Sequence, residues 1–300
     1  MNLLVTGGTG TFGRAFTPHA LASGIFERIA IYSRDEDKQF RLRRELNDDA
    51  RLRWFIGDIR DRDRLVLALR GVDVVVHAAA LKHVIAAEYN PTESVQTNII
   101  GAMNVVRAAI DCKVQKVLAI STDKAVEPIN LYGATKLCME RVLMASNSLD
   151  PTGARFSCVR YGNVLGSRGS FIETLVRLRE EKARSFPLRH LESTRFWMKP
   201  EEAAKFVLER IMDMQGAEVF VPKLPSSTAL SFARQYLPDA EPEMVGVPRG
   251  EKIHEALLGM DECHYVEDCG DYLVIRPNGP RNSDQRWSYT SDNNPFNRGV

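Results

Sequence analysis

Long apolar runs are missing from this 300-residue chain. A membrane-spanning helix needs about 20 consecutive apolar residues. The best window here, 72–89, is broken by Asp73, His77, Lys82, His83 and Glu88. The first residues, Met1-Asn2-Leu3-Leu4-Val5-Thr6, contain neither a basic stretch nor an extended apolar one, so they do not read as a secretory signal. An excess of charge is missing too: 40 Lys and Arg face 39 Asp and Glu, for a net charge of +1. A nucleic-acid binder is expected to carry a basic surplus. Cysteine is scarce. The five, Cys112, Cys138, Cys158, Cys263 and Cys269, are odd in number and form neither a CxxC pair nor a zinc spacing. They read as reduced thiols, with no metal site, in a cytoplasmic protein. What remains, 44% hydrophobic and 26% charged residues, is globular composition and excludes disordered and coiled-coil classes.

Short β-rich runs recur at 3–6, 29–33, 52–56, 72–77, 117–121 and 156–161. Helical patterns lie between them at 61–69, 91–112 and 131–147. Strands that are apolar throughout and alternate with helices predict an α/β fold, a Rossmann-like doubly wound parallel sheet. Beyond Tyr161 the rhythm loosens. Helices are expected at 170–181, 200–214, 230–236 and 250–258, and strands at 218–221, 244–247 and 272–275. The expected organisation is a dinucleotide-binding domain over 1–165, a smaller interleaved α/β substrate lobe over 166–278, and an extended, loosely held polar tail over 279–300.

The first strand runs directly into Thr6-Gly7-Gly8-Thr9-Gly10-Thr11-Phe12-Gly13, which opens a helix. Glycines at 7, 10 and 13 suit a tight turn, backbone close to a pyrophosphate and a helix packed hard on its strand. The helix N-terminus then faces the negative charge. Gly7, Thr9, Gly10, Thr11, Phe12 and Gly13 are therefore candidate cofactor contacts. The second strand ends in Ser33-Arg34-Asp35. NAD-selective sites commonly place a carboxylate there. A guanidinium instead suits a 2′-phosphate, so Ser33, Arg34 and Lys38 point to NADP. Asp58 and Ile59 follow the third strand where an adenine would lie, and small Ala78, Ala79 and Ala80 follow the fourth. His77 reads as a buried structural residue.

At the end of the fifth strand stands Ser121-Thr122-Asp123-Lys124-Ala125, and then Tyr132-Gly133-Ala134-Thr135-Lys136. Tyr-x-x-x-Lys on a helix sets both side chains on one face, one turn apart, and makes Tyr132 and Lys136 candidate cofactor contacts as well. A nearby ammonium lowers a phenol's pKa and lets it act as a base. Thr122 can hydrogen-bond the reacting hydroxyl. Asp123 and Lys124 offer an acid and a base within reach of adjacent carbons, with Lys124 expected to be depressed toward neutrality by neighbouring positive charge.

With the glycine loop, this set resembles the extended short-chain dehydrogenase/reductases. Tyr132 follows Thr122 by ten positions, and the stretch between them is similar to that of the inverting UDP-N-acetylglucosamine 4,6-dehydratases. Further matches include Ala80-Leu81-Lys82-His83-Val84, Thr97-Asn98, Arg160-Tyr161-Gly162-Asn163-Val164, Thr194-Arg195-Phe196-Trp197 and Gly250-Glu251-Lys252-Ile253-His254-Glu255. The resemblance spans 1–275 and weakens past Ser291, where relatives continue into an apolar helix.

The resemblance implies an NADP-dependent enzyme of surface-glycan or flagellin-sugar synthesis. It implies that Tyr132, supported by Lys136 and Thr122, takes the sugar 4-hydroxyl proton, Lys124 removes H5, and Asp123 protonates the leaving 6-hydroxyl. Lys82, Asn163, Arg168, Thr194, Pro222, Lys223, Arg249 and Glu251 are implied UDP-sugar contacts. A homo-oligomer, dimer or hexamer, is expected. The motifs also leave open a bifunctional dehydratase/5-epimerase and, less well matched, a UDP-sugar 4-epimerase or a dinucleotide sensor.

Overall fold

Near-continuous runs of Val, Ile and Leu, cut by turn glycines, build a sheet that both faces cover. The computed structural model describes residues 1–151, 153–167, 169–276 and 286–297. Six strands alternate with helices through the first half: β1 (Asn2–Thr6), β2 (Arg28–Ser33), β3 (Leu52–Ile56), β4 (Val74–His77), β5 (Lys116–Ile120) and β6 (Arg155–Val159). The intervening helices are α1 (Thr11–Ala22), α2 (Glu36–Glu45), α3 (Arg62–Leu69), α4 (Val84–Tyr89), α5 (Pro91–Val95), α6 (Gly101–Asp111) and α7 (Leu131–Ser146).

The second half adds β7 (Asn163–Val164), α8 (Phe171–Glu180), β8 (Ser185–Leu188), β9 (Thr194–Met198), α9 (Pro200–Asp213) and β10 (Val219–Pro222). Then come β11 (Ser226–Thr228), α10 (Ala229–Tyr236), β12 (Glu241–Met244), β13 (Ala256–Leu258), β14 (Val266–Asp268), β15 (Tyr272–Ile275) and β16 (Tyr289–Thr290).

The main sheet has the order β14-β15-β10-β6-β5-β4-β1-β2-β3. From β3 to β10 every pairing is parallel, while β15 and β14 close the edge antiparallel. The doubly wound expectation holds. Order reverses between β1 and β4, the crevice where such sheets bind ligands. Helix α1 packs on α9, and α6 on α3 and α7; right-handed crossovers put these groups on opposite faces. A second hydrophobic cluster joins Ile172, Leu175, Phe186, Leu188, Trp197 and Phe232. Trp197 stacks on Phe232 with ring centroids 4.0 Å apart.

Four expectations change. The helical pattern at 91–112 is interrupted by a π-helical turn, Gln96–Ile100. The 250–258 segment is not a helix. It ends in β13, because Glu255 N–H donates to Ser291 Oγ (2.9 Å), Ser291 N–H returns to the Glu255 carbonyl (2.8 Å), and Leu257 and Leu258 are both buried. The strand expected at 244–247 lies instead at Glu241–Met244 beside β8, and Gly246, at φ +76°, turns the chain just beyond it. The tail is not loosely held over 286–297. Tyr289 is fully buried, donates its hydroxyl proton to the Leu224 carbonyl (3.2 Å), and packs edge-on to Phe196 and Phe296. Polar neighbours hide this anchor in the sequence. Among the described residues no helix is long and apolar enough to cross a membrane, and no acidic, His or Cys cluster could hold a metal.

Candidate active site

A cavity of about 820 Å³ opens along the carboxyl ends of the parallel strands and under the smaller lobe. Its first wall is the β1–α1 turn, with Gly7, Thr9, Gly10, Thr11 and Phe12. Gly7 sits at φ +65°, and a Cβ there would fall 2.8 Å from the Ala79 backbone. The two strand ends are thus pressed together, leaving room for a cofactor only above them. Gly13 is set back from the cavity and packs α1 against Gly8.

Ser33, Arg34, Lys38, Asp58 and Ile59 line the far end, and Ala78, Ala79 and Ala80 line the middle. Asp35, the first carboxylate after β2, caps α2 by accepting from Lys38 N–H (3.0 Å) and pairs with the Lys38 ammonium. Arg34 is half-exposed, 3.6 Å from Asp58. Burial alone would raise Asp58, but Arg60 and Arg34 hold its carboxyl below the ordinary range. The turn between α5 and α6 brings in Asn98, which donates to the Leu81 carbonyl (2.9 Å) and to Thr135 Oγ1 (2.9 Å) and accepts from Leu81 N–H (2.8 Å). This ties the β4 loop to α7. The Thr97 hydroxyl is buried in the lining without a hydrogen-bond partner. Open backbone at a helix start, small residues and an orphan hydroxyl together fit a dinucleotide.

The reactive groups gather where β5 ends. Helix α7 begins at Asn130, whose Oδ1 accepts from Gly133 N–H and whose Nδ2 donates to the Gly250 carbonyl, both at 2.7 Å. Only glycine fits at 133, since a Cβ would lie 2.1 Å from the Lys124 carbonyl oxygen. That close passage sets Tyr132 beside Lys124. Burial pushes the Tyr132 phenol up to about 12; the Lys124 charge and a hydrogen bond with Thr122 act the other way. Lys136, buried one turn on, donates to the Ile120 carbonyl (2.6 Å). Burial lowers it to about 8.

Lys124 Nζ lies 3.0 Å from Asp123 Oδ1, 3.0 Å from Glu255 Oε1 and 3.4 Å from Asn163 Oδ1. Burial would lower its pKa, but the two carboxylates outweigh that and raise it. The expectation of a lysine depressed toward neutrality therefore falls on Lys136, not Lys124. Asp123 is sealed beneath Lys124 and does not reach the cavity wall. Burial raises its carboxyl despite the Lys124 ammonium. Glu255 does line the cavity. Burial opposes its ionisation, but Lys124 and Arg195 hold it below the ordinary range.

Of the implied substrate contacts, Lys82, Asn163, Arg249 and Glu251 line the cavity. Glu251 is gripped by Arg189 and Arg195, each at 3.0 Å. Thr194, Pro222 and Lys223 do not. Thr194 Oγ1 is engaged with His254 (2.9 Å) and Ser291 (2.6 Å), Pro222 lies inside the main sheet, and Lys223 is paired with Asp268 at 2.7 Å. Arg168 lies outside the described residues. Sequence reasoning passed over Glu255, Arg195, Asn98 and Asn130. A charged residue directly before the apolar 256–258 run was the visible signal for the first.

A family model described as polysaccharide biosynthesis protein matches residues 3–277. A UDP-N-acetylglucosamine 4,6-dehydratase (inverting) of Campylobacter jejuni is 42% identical, covering 98% of this chain and 93% of its own. A UDP-glucose 4-epimerase of Rickettsia conorii is 40% identical over 92% of this chain and 83% of its own. Among solved structures, Pen from Bacillus thuringiensis superposes with a TM-score of 0.91 at 35% identity, covering 98% of this chain and 94% of that one. Glycine turn, Tyr132 and Lys136 on one helix, and similarity along nearly the whole length agree: the chain belongs to the polysaccharide biosynthesis protein family of extended short-chain dehydrogenase/reductases.

Proposed function

We propose that this chain is an NADP-dependent, configuration-inverting 4,6-dehydratase of UDP-N-acetylglucosamine, working in the cytoplasm as a homo-oligomer and supplying sugars for surface glycans or flagellin. The observation that carries the reading is Lys124 joined to Asp123 and Glu255 beside Tyr132. A plain epimerase needs a base at the 4-hydroxyl alone. A dehydratase also needs an acid and a base at adjacent carbons.

The β1–α1 turn, Arg34, Lys38 and Ala78 to Ala80 would hold the dinucleotide, with Arg34 and Lys38 on the 2′-phosphate. Bound there, NADP would supply a hydride acceptor for the sugar and, later, a hydride donor. Tyr132 takes the 4-hydroxyl proton, with Lys136 and Thr122 beside it to favour the phenolate. The resulting ketone acidifies H5, which Lys124 removes. Burial raises the Asp123 carboxyl, and its proton would reach the departing 6-hydroxyl through Thr122, whose hydroxyl lies 2.9 Å from Asp123 Oδ1 and lines the cavity. Lys82, Asn163, Arg249 and Glu251 hold the UDP-sugar. Arg189 and Arg195, anchored on Glu251, add the positive charge that a diphosphate requires.

The test is a reaction in D₂O with substrate labelled by deuterium or tritium at C4. The expected product has lost one water, carries solvent deuterium at C5 and the original label at C6, and has the L-arabino configuration in its proton couplings. A D-xylo product rejects the inverting assignment. Unchanged mass with inverted C4 supports the epimerase instead.

A further inference from the structure

Three elements converge on Lys124, and one of them comes from the far end of the chain. The loop after β5 supplies Asp123, α7 supplies Tyr132, and the residue just before β13 is Glu255. Glu255 is 1% exposed, its Oε1 lies 3.0 Å from Lys124 Nζ, and its Oε2 is buried with no partner. A buried carboxylate with an idle oxygen is costly unless it is used. Its backbone is fixed on both sides by Ser291, and the neighbouring Lys252 ammonium is tied to the Val126 carbonyl at 2.5 Å.

We propose that Glu255 is the positioning residue of the Lys124 base, seating Nζ against Asp123 and taking up the proton that Lys124 must shed before it can accept one from carbon. The proposal rests on the dehydratase reading and deepens it. The step is a single proton transfer: the Nζ–H bond breaks, an Oε1–H bond forms, and an ion pair becomes an amine and a carboxylic acid. No net charge is created. Exclusion of water on substrate binding favours the neutral pair, because a low dielectric penalises separated charges most. Asp123 is sealed beneath Lys124 away from the cavity wall, whereas Glu255 lines it. The other charged or titratable groups facing Lys124 are Arg195 from β9, Tyr132 from α7 and, through Glu255, Lys252. Among them only Glu255 pairs ionised contact with wall position.

The experiment compares wild type, Glu255→Gln and Glu255→Asp for turnover of UDP-N-acetylglucosamine across the pH range, with kcat and KM separated. Glu255→Gln should lower kcat at neutral pH by about 100-fold or more, the range of a lost acid–base partner, with KM changed less than about threefold. Its kcat relative to wild type should climb with pH, because Lys124 must then lose its proton to solvent. Glu255→Asp should be slower than wild type but keep the wild-type pH profile. A loss in Glu255→Gln that is the same at every pH makes Glu255 merely structural and overturns the proposal. Wild-type kcat in Glu255→Gln overturns it as well. Should the glutamine variant not fold, Glu255→Asp decides alone: full wild-type kcat, or a profile displaced to higher pH, refutes the seat. If wild type removes no water from the substrate, the dehydratase reading itself fails and takes this proposal with it, an outcome distinct from an active wild type with an indifferent Glu255→Gln.

Discussion

Arg160 grips Glu140 through two hydrogen bonds, of 3.1 and 2.6 Å, with both side chains closed off from water. The same guanidinium reaches Glu262 (2.8 Å) and the Leu257 carbonyl (3.1 Å). One side chain just past β6 thus fastens α7, which carries Tyr132, to β13, the strand that follows Glu255. Arg160→Met would leave Glu140 buried without its cation. The expected cost is about 3–5 kcal/mol of folding stability, read as a lower urea midpoint. A loss under about 1 kcal/mol would mean that water reaches Glu140.

Tyr132→Phe should abolish every step, since the proposed cycle begins with oxidation at C4. Lys124→Ala should still bind the dinucleotide and still oxidise C4, but should not release water. Reduced-cofactor absorbance after one addition of substrate separates the two variants. A Lys124→Ala enzyme that dehydrates at the wild-type rate would assign the C5 proton to another group.

Arg34→Ala should weaken NADP by about 1.5–3 kcal/mol, the span for hydrogen bonds to charged groups. Half-exposure of Arg34 puts the effect toward the lower figure. NAD should change far less, because it lacks the 2′-phosphate. Paired titrations with both dinucleotides measure the difference, and equal weakening refutes an NADP-selective Arg34.

His77 supplies a pH dependence of stability. It is buried, its Nδ1 lies 2.8 Å from Thr6 Oγ1, and burial, with Lys136 nearby, lowers it to about 3. Below pH 6.5 the unfolded chain protonates this histidine and the folded chain does not. Its contribution is therefore whole above about 6.5 and is lost as pH falls toward 3, by up to about 1.4 kcal/mol per pH unit. Wild type should lose stability relative to His77→Gln over that window, measured by urea unfolding at several pH values. A constant difference between the two would show that His77 charges inside the fold.

The first half of the molecule was legible because its signals are local. Each strand from β1 to β6 is a short apolar run, and the glycine turn, Tyr132 and Lys136 stand at fixed spacings within single elements. The second half resisted for the opposite reason. The apolar residues 256–258 suit a helix as well as a strand, and the partner that decides, β16, lies more than thirty positions on. Lys223 follows a strand end and looks available, yet Asp268 on a separate strand claims it. The Thr194 hydroxyl is likewise engaged with His254 and Ser291, partners that no linear motif encodes. The charge state of Lys124 was misjudged because Glu255, its second carboxylate, arrives from 131 residues away.

The pairing of β13 with β16 also sets an order of events at the ribosome. Ala256 is synthesised before its partner Thr290. At a synthesis rate of about 5–20 residues per second, Leu257 and Leu258 wait on the order of seconds without the strand that covers them. The parallel sheet from β3 to β10 can meanwhile assemble behind them, including the β1–α1 turn. Glu255 gains its hold from Ser291 only afterwards, so a nascent chain can present a finished cofactor cleft before it can set Lys124 in place.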